Sequence, residues 1–165
     1  MGRHLVLAAD LGGTRIRAAL SDLKGHFLRR LEWATEPERG REAVLERIVA
    51  LIQDVRGDTP ASDLLGVGVG TPGPLDPATG IVLSAPNMPG WVDLPLRSYL
   101  EERLSLPVRL VNDANGAALG EWIYGAGRGR QNLIYITIST GIGGGIIVDG
   151  HLSWAIAGWP ARSAT

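Results

Sequence analysis

An aspartate delivered into paired glycines, Asp10-Leu11-Gly12-Gly13-Thr14, ends a short hydrophobic run from Leu5 to Ala9. Much later, Ile134 to Thr140 runs into Gly141-Ile142-Gly143-Gly144-Gly145. Each is a strand-like run that carries a carboxylate or a hydroxyl into a glycine turn. Glycine lets the backbone bend tightly and bring its N–H groups close to an anion. Between the two turns lies Asn112-Asp113-Ala114-Asn115. Together these segments read as a phosphate-transfer site in which a nucleotide and a polar substrate face each other.

Each motif also has a plainer reading. Gly-Gly between two strands is a common hairpin signal. In the chemical reading, Asp10 is a partner of Mg²⁺ through water, and Gly12, Gly13 and Thr14 donate to the terminal phosphate. Four glycines within Gly141 to Gly145 lose much backbone entropy on folding, so that segment points more firmly to an anion. Asn112 and Asp113 stand where a strand ends and a helix begins, where either could be an ordinary N-cap. Alternatively, Asp113 is a base that accepts the proton of a hydroxyl attacking phosphorus. Asn87-Met88-Pro89-Gly90-Trp91 reads as a surface turn, or as a loop in which Asn87 bonds a hydroxylated ligand and Trp91 anchors. Glu121 and the histidines His4, His26 and His151 read as solvated.

The elements that must position these residues follow from the hydrophobic pattern. Leu5–Ala9 is continuously apolar, as in a strand buried on both faces. Ile16–Leu20 and His26–Trp33 follow it as an antiparallel meander, turning at Asp22-Leu23-Lys24-Gly25. From Gly40 to Arg56, Ala43, Val44, Ile48, Leu51, Ile52 and Val55 make one helical stripe, closed by Gly57 and Pro60. Leu65–Gly70 is a strand ending at Thr71-Pro72-Gly73-Pro74. Leu94–Leu104 is helical, Val108–Val111 a strand, and Ala114–Tyr124 an alanine-rich helix. The order predicts an α/β layered fold with a mixed sheet. Gly125 to Arg130 reads as a break, giving a first domain over 1–125 and the start of a second over 131–150.

The chain has 165 residues, 45% of them hydrophobic, and a formal charge of −1. No basic block favours nucleic acid or a membrane surface. With no cysteine, disulfides and thiolate metal sites are excluded from this chain. Met1 to His4 lacks the pattern of a signal peptide, and no apolar run approaches the ~20 residues of a membrane span. A cytoplasmic location is expected.

As an ordered set, the motifs resemble the ROK family of sugar kinases and repressors, in particular its bacterial glucokinase branch. The resemblance is carried by Asp10-Leu11-Gly12-Gly13-Thr14, by Gly66-Val67-Gly68-Val69-Gly70-Thr71-Pro72-Gly73 and by Asn87-Met88-Pro89-Gly90-Trp91. It continues through Pro107-Val108, Asn112-Asp113-Ala114-Asn115, Ala117-Ala118-Leu119-Gly120-Glu121 and Thr140-Gly141-Ile142-Gly143-Gly144-Gly145. It implies an actin-like ATPase (ribonuclease H-like) fold whose two domains close over sugar and ATP. It implies transfer of the γ-phosphate of ATP to a hexose hydroxyl, as from glucose to glucose 6-phosphate. Asp113 would be the base, and Asn87, Asn112 and Asp113 the sugar contacts. Asp10, Gly12, Gly13, Thr14, Thr140, Gly141 and Gly143 would contact phosphate, with Mg²⁺ at Asp10. A homo-oligomer is implied at full length, with no nucleic-acid or membrane partner. Only Met1 to His4 precede the first strand, so the kinase branch is expected rather than the DNA-binding repressors.

After Asp149-Gly150 the family pattern reaches Ala-Gly-Glu-x-Gly-His, a cysteine-rich zinc motif and the rest of the ATP domain. This chain shows none of them. Its tail, Gly158 to Thr165, is compatible with the codons GGC TGG CCG GCG AGA TCG GCC AC. Read from the last base of the first codon, these give Leu-Ala-Gly-Glu-Ile-Gly-His. A frameshift at about His151 to Ser153 is therefore expected, with 151–165 out of frame. The chain would then be a truncated, inactive form of the kinase. The alternatives are a non-catalytic sugar-binding or regulatory remnant and a phosphate-binding structural module. Asn132 to Val148 would expose strand edges that are meant to be paired.

Overall fold

Hydrophobic runs broken by turn residues make the first three strands: β1 (Leu5–Leu11), β2 (Arg15–Asp22) and β3 (Phe27–Ala34). The β2–β3 turn is built by Asp22, whose Oδ1 accepts the backbone N–H groups of Lys24 and His26 at 2.9 Å each. This is an Asx-type turn of the kind that aspartate favours. The computed structural model describes residues 4–138 and 142–153. The chain divides into two units, Met1–Asp113 and Ala114–Thr165.

In the first unit the meander is followed by α1 (Arg41–Arg56) and β4 (Leu64–Thr71). Then come three short strands, β5 (Leu75–Asp76), β6 (Ile81–Ser84) and β7 (Val92–Leu94), and finally α2 (Leu96–Leu104) and β8 (Val108–Asn112). The main sheet has the order β3-β2-β1-β4-β8. β1, β2 and β3 are antiparallel, whereas β4 and β8 add in parallel. This is the mixed sheet that the sequence predicts. β5, β6 and β7 form a separate antiparallel sheet.

The predicted helical stripe is buried in α1 except for Ala43, which is half-buried, and Leu45 and Val49 join it. The apolar face is thus wider than the predicted three- and four-residue steps alone. α1 packs on β1, β2 and β3, and α2 on β8. β1 differs from the expectation of burial on both faces. Leu5, Leu7, Ala9 and Leu11 are buried, but Ala8 and Asp10 are exposed. The reason is that α1 and α2 touch each other on one side of the sheet. A continuous apolar run does not say how many of its faces are covered.

The second unit holds most of α3 (Asp113–Ile123) with β9 (Leu133–Ile138), β10 (Ile142–Val148) and β11 (His151–Ser153), in sheet order β11-β10-β9. α3 buries Ala114 and Ala118. A Cβ on Gly143 would stand 3.1 Å from the Ala114 Cβ, and one on Gly145 2.5 Å from the Ala118 Cβ. Alanines on the helix and glycines on the strand therefore let the two elements meet nearly backbone to backbone. Two glycines of the second glycine run thus have a packing reason of their own. Glu121 is exposed, as expected, and also closes α3: its Oε2 accepts the Ala126 N–H at 3.0 Å.

Candidate functional site

In the first unit, β1, β4 and β8 run parallel and end side by side. Asp10 pairs in register with Gly70, and Gly70 with Val111. Asp10 and the end of β8 are therefore two strand spacings apart, about 10 Å. Gly70, between them, has no side chain. A Cβ there would lie 3.8 Å from Asp10 Oδ1 and 3.9 Å from the Asp113 Cα. The result is a gap with the Asp10 carboxylate on one side and the start of α3 on the other. Parallel strands of open α/β sheets bind ligands at these carboxyl ends.

Each side of the gap is held in place. Asn112 donates its Nδ2 hydrogen to the Gly73 carbonyl at 3.1 Å, tying the start of α3 to the turn after β4. That turn needs glycine: Gly73 has φ +78°, and a Cβ there would come within 2.0 Å of the Ser84 carbonyl oxygen. Asp113 is the first residue of α3. The positive end of the helix dipole favours a carboxylate there.

Asn87 lies in the connection between β6 and β7. The Met88 N–H donates to the Ala85 carbonyl at 2.9 Å, and the Trp91 N–H to the Met88 carbonyl at 3.1 Å. Met88 and Trp91 are buried while Asn87 is exposed. Trp91 therefore anchors the loop, as expected, and the loop presents Asn87 to the β1–β2 turn. A Cβ on Gly13 would stand 2.7 Å from the Asn87 Cβ, so Gly13 is what allows that approach.

Two residues that shape the site were not foreseen. The Thr35 hydroxyl, fully buried, donates to the Gly12 carbonyl at 2.6 Å, and its N–H to the Thr14 carbonyl at 2.9 Å. It pins the Asp10–Thr14 turn from the far end of β3. Arg17 donates to Asp10 Oδ2 at 3.0 Å and to Glu32 Oε2 at 2.6 Å. Glu32 also pairs with Arg15. The hydrogen bond to Glu32, and next that to Asp10, hold the Arg17 guanidinium above its ordinary pKa. Arg15 first, then Arg17, hold Glu32 below its own. Nothing in the sequence pattern flags Thr35. The alternation of β2 would have placed Arg17 on the same face as Asp10.

Gly143, in the second unit, belongs to β10 and pairs with Thr137 on β9. Thr140 and Gly141, expected to contact phosphate, lie outside the described residues. Among the described residues no cluster of three or more His, Cys, Asp or Glu side chains could hold a metal, and no helix is long and apolar enough to cross a membrane.

The chain is similar to known proteins over most of its length. Residues 6–160 match the model of the ROK family. The glucokinase of Thermotoga maritima is 40% identical over 152 residues, covering 92% of this chain and 47% of that protein. The glucokinase of Halalkalibacterium halodurans is 40% identical over 160 residues, covering 96% and 48%. Among solved structures, a ROK family glucokinase from Streptomyces griseus, in complex with glucose and AMPPNP, superposes with a TM-score of 0.82 at 38% identity. That match covers 90% of this chain and 46% of the other. The fold is thus the actin-like ATPase fold of these kinases, and the chain spans about half the length of the curated relatives it matches.

Proposed function

The chain belongs to the ROK family, and from that premise we propose that it forms the sugar-binding and phosphate-contacting half of an ATP-dependent hexose kinase with glucose as substrate. The observation that carries this reading is the side-chain-free gap at Gly70, with Asp10 on one side and Asp113 on the other. Asn87 and Asn112 orient the hexose through its hydroxyls. The Asp113 carboxylate takes the proton of the O6 hydroxyl as that oxygen attacks the γ-phosphorus of ATP. A new P–O bond forms, the bond to the β-phosphate breaks, and ADP leaves. The backbone N–H groups of Gly12, Gly13 and Thr14 receive phosphate on one side. Thr140, Gly141 and Gly143 do so from the other glycine run.

Asp10 fits a Mg²⁺ ion held through water. Its Oδ2 is committed to Arg17, and with no acidic cluster among the described residues the ion would depend on substrate phosphates and water, as Mg²⁺ commonly does. Mg²⁺ would neutralise phosphate charge there. The residues of this chain do not fit zinc, since there is no cysteine and no His/Cys/Asp/Glu cluster among the described residues.

The test is a chimera that joins residues 1–150 to the remaining C-terminal part of the Thermotoga maritima glucokinase. In a coupled ADP-release assay it is expected to phosphorylate glucose in an ATP-dependent way. A folded chimera that binds ATP but releases no ADP with any hexose would sink the reading.

A further inference from the structure

α1 reaches both sides of the site through two arginines. Arg41 is its first residue, and Arg47 stands about 9 Å further along the axis. Arg47 donates from Nη2 and Nε to the Ala34 carbonyl, at 2.9 and 3.2 Å. It also pairs with Glu36 at 3.2 Å and lies 5.7 Å from the centre of the Trp33 ring. Between Ala34 and Glu36 is Thr35, the residue that pins the Asp10–Thr14 turn. Glu36 sits in the left-handed region at φ +55°, which a glutamate holds only where its surroundings impose it. Arg39, at 2.8 Å, and Arg47 grip its two carboxylate oxygens. At the start of the helix, Arg41 donates to the Gly90 carbonyl at 3.4 Å, in the loop that carries Asn87. A Cβ on Gly90 would stand 3.5 Å from the Arg41 Cβ, so helix start and loop lie side by side. A cation in the first turn opposes the helix dipole. Even paired with Glu42, Arg41 is therefore not explained by the stability of α1 alone.

We propose that Arg47 and Arg41 are positioning residues, which fix the phosphate turn and the sugar loop against one helix. Arg47 acts through Ala34, Thr35 and Glu36 on the Asp10–Thr14 turn. Arg41 acts through Gly90 on the loop that presents Asn87. The helix between them is a firm reference, because its apolar face is buried against the sheet. With both loops tied to it, the sugar contacts and the phosphate turn keep a constant separation, and phosphoryl transfer is sensitive to that distance. The consequence for catalysis rests on the kinase reading above, whereas the hold on the two loops does not.

The first test is hydrogen exchange in the 165-residue chain, resolved to single amides. Arg47→Met removes the donors and keeps an unbranched stem. It is expected to speed exchange about tenfold at the Gly12 and Thr35 amides and to leave Val69 and Leu110 of the central strands unchanged. Arg47→Lys, which keeps the charge without the planar fork, should give the same pattern to a smaller degree. Arg41→Met should do the same at Met88 and Trp91. No change at Gly12 and Thr35 overturns the proposal, and so does a rise spread evenly over the unit, which would make Arg47 a source of stability only. The second test uses the chimera. Arg47→Met is expected to lower kcat and raise KM for ATP roughly threefold or more, with KM for glucose unchanged. Arg41→Met is expected to lower kcat and raise KM for glucose instead. An active chimera in which both variants keep parent kinetics overturns the proposal. A parent chimera without activity counts against the kinase reading, and hydrogen exchange then decides the hold on the loops.

Discussion

At the residue scale, the decisive positions are those where a side chain is either required or forbidden. Asp113 is required if the proposed mechanism holds. In the active chimera, Asp113→Asn keeps the shape and loses the base, so glucose binding should persist while kcat falls ~10²–10⁴-fold. Parent-like turnover would remove Asp113 from the mechanism. Gly13 is a position where a side chain is forbidden. A Cβ there would lie 2.7 Å from the Asn87 Cβ and 3.0 Å from its carbonyl oxygen, and the carbonyl belongs to backbone that cannot swing away. Gly13→Val must therefore push the turn and the Asn87 loop apart. In the chimera, KM for glucose and KM for ATP should rise together, because one residue borders both. A folded variant with parent kinetics for both substrates would make this approach incidental. The turn between β1 and β2 was legible because paired glycines between two apolar runs are a local signal. The contact with Asn87 was not, since it joins loops far apart in the chain.

At the scale of elements, the site depends on a cross-strand ladder and a buried hydroxyl. Thr35→Val removes the donor to the Gly12 carbonyl without opening a cavity, leaving that acceptor unpaired. A loss of ~1–3 kcal/mol in urea unfolding is expected; a stability change near zero would mean that water replaces the hydroxyl. Asp10, Arg17 and Glu32 stand in one row across β1, β2 and β3. Glu32 is held below its ordinary pKa of 4.5, chiefly by Arg15 and then by Arg17. A depressed carboxylate contributes stability above its unfolded pKa and loses it as pH falls through the folded value. The melting-temperature difference between the parent and Glu32→Gln should therefore be present at pH 7 and shrink as pH falls below 4.5. It should be small, because the row is exposed. A difference that grew on acidification would contradict the assignment. Main strands and helices were readable from the sequence because long periodic runs report their own burial. β5, β6 and β7 were not, because strands this short among prolines and glycines form only when a neighbouring loop completes them. The open face of β1 was misread because apolar continuity looks the same whether one face or both are covered.

At the scale of the whole molecule, the first unit carries Asp113, Asn87 and the Asp10 turn, while the nucleotide side depends on polypeptide that the relatives have and this chain does not match. Phosphoryl transfer needs substrate and phosphate held together, and misplacing either removes most of the rate. The 165-residue chain alone is therefore expected to release no ADP from ATP and glucose above background, while the chimera does. The codons of Gly158 to Thr165, shifted in frame, can encode Leu-Ala-Gly-Glu-Ile-Gly-His, whose Glu and His the family resemblance assigns to the sugar. DNA sequenced across the codons for Asp149 to Thr165 should hold that motif in the alternate frame, and deleting or adding one base near codons 151–153 should restore the frame and bring activity with it. If the alternate frame carries stop codons instead of the motif, or if the short chain itself turns over glucose, the frameshift account is wrong.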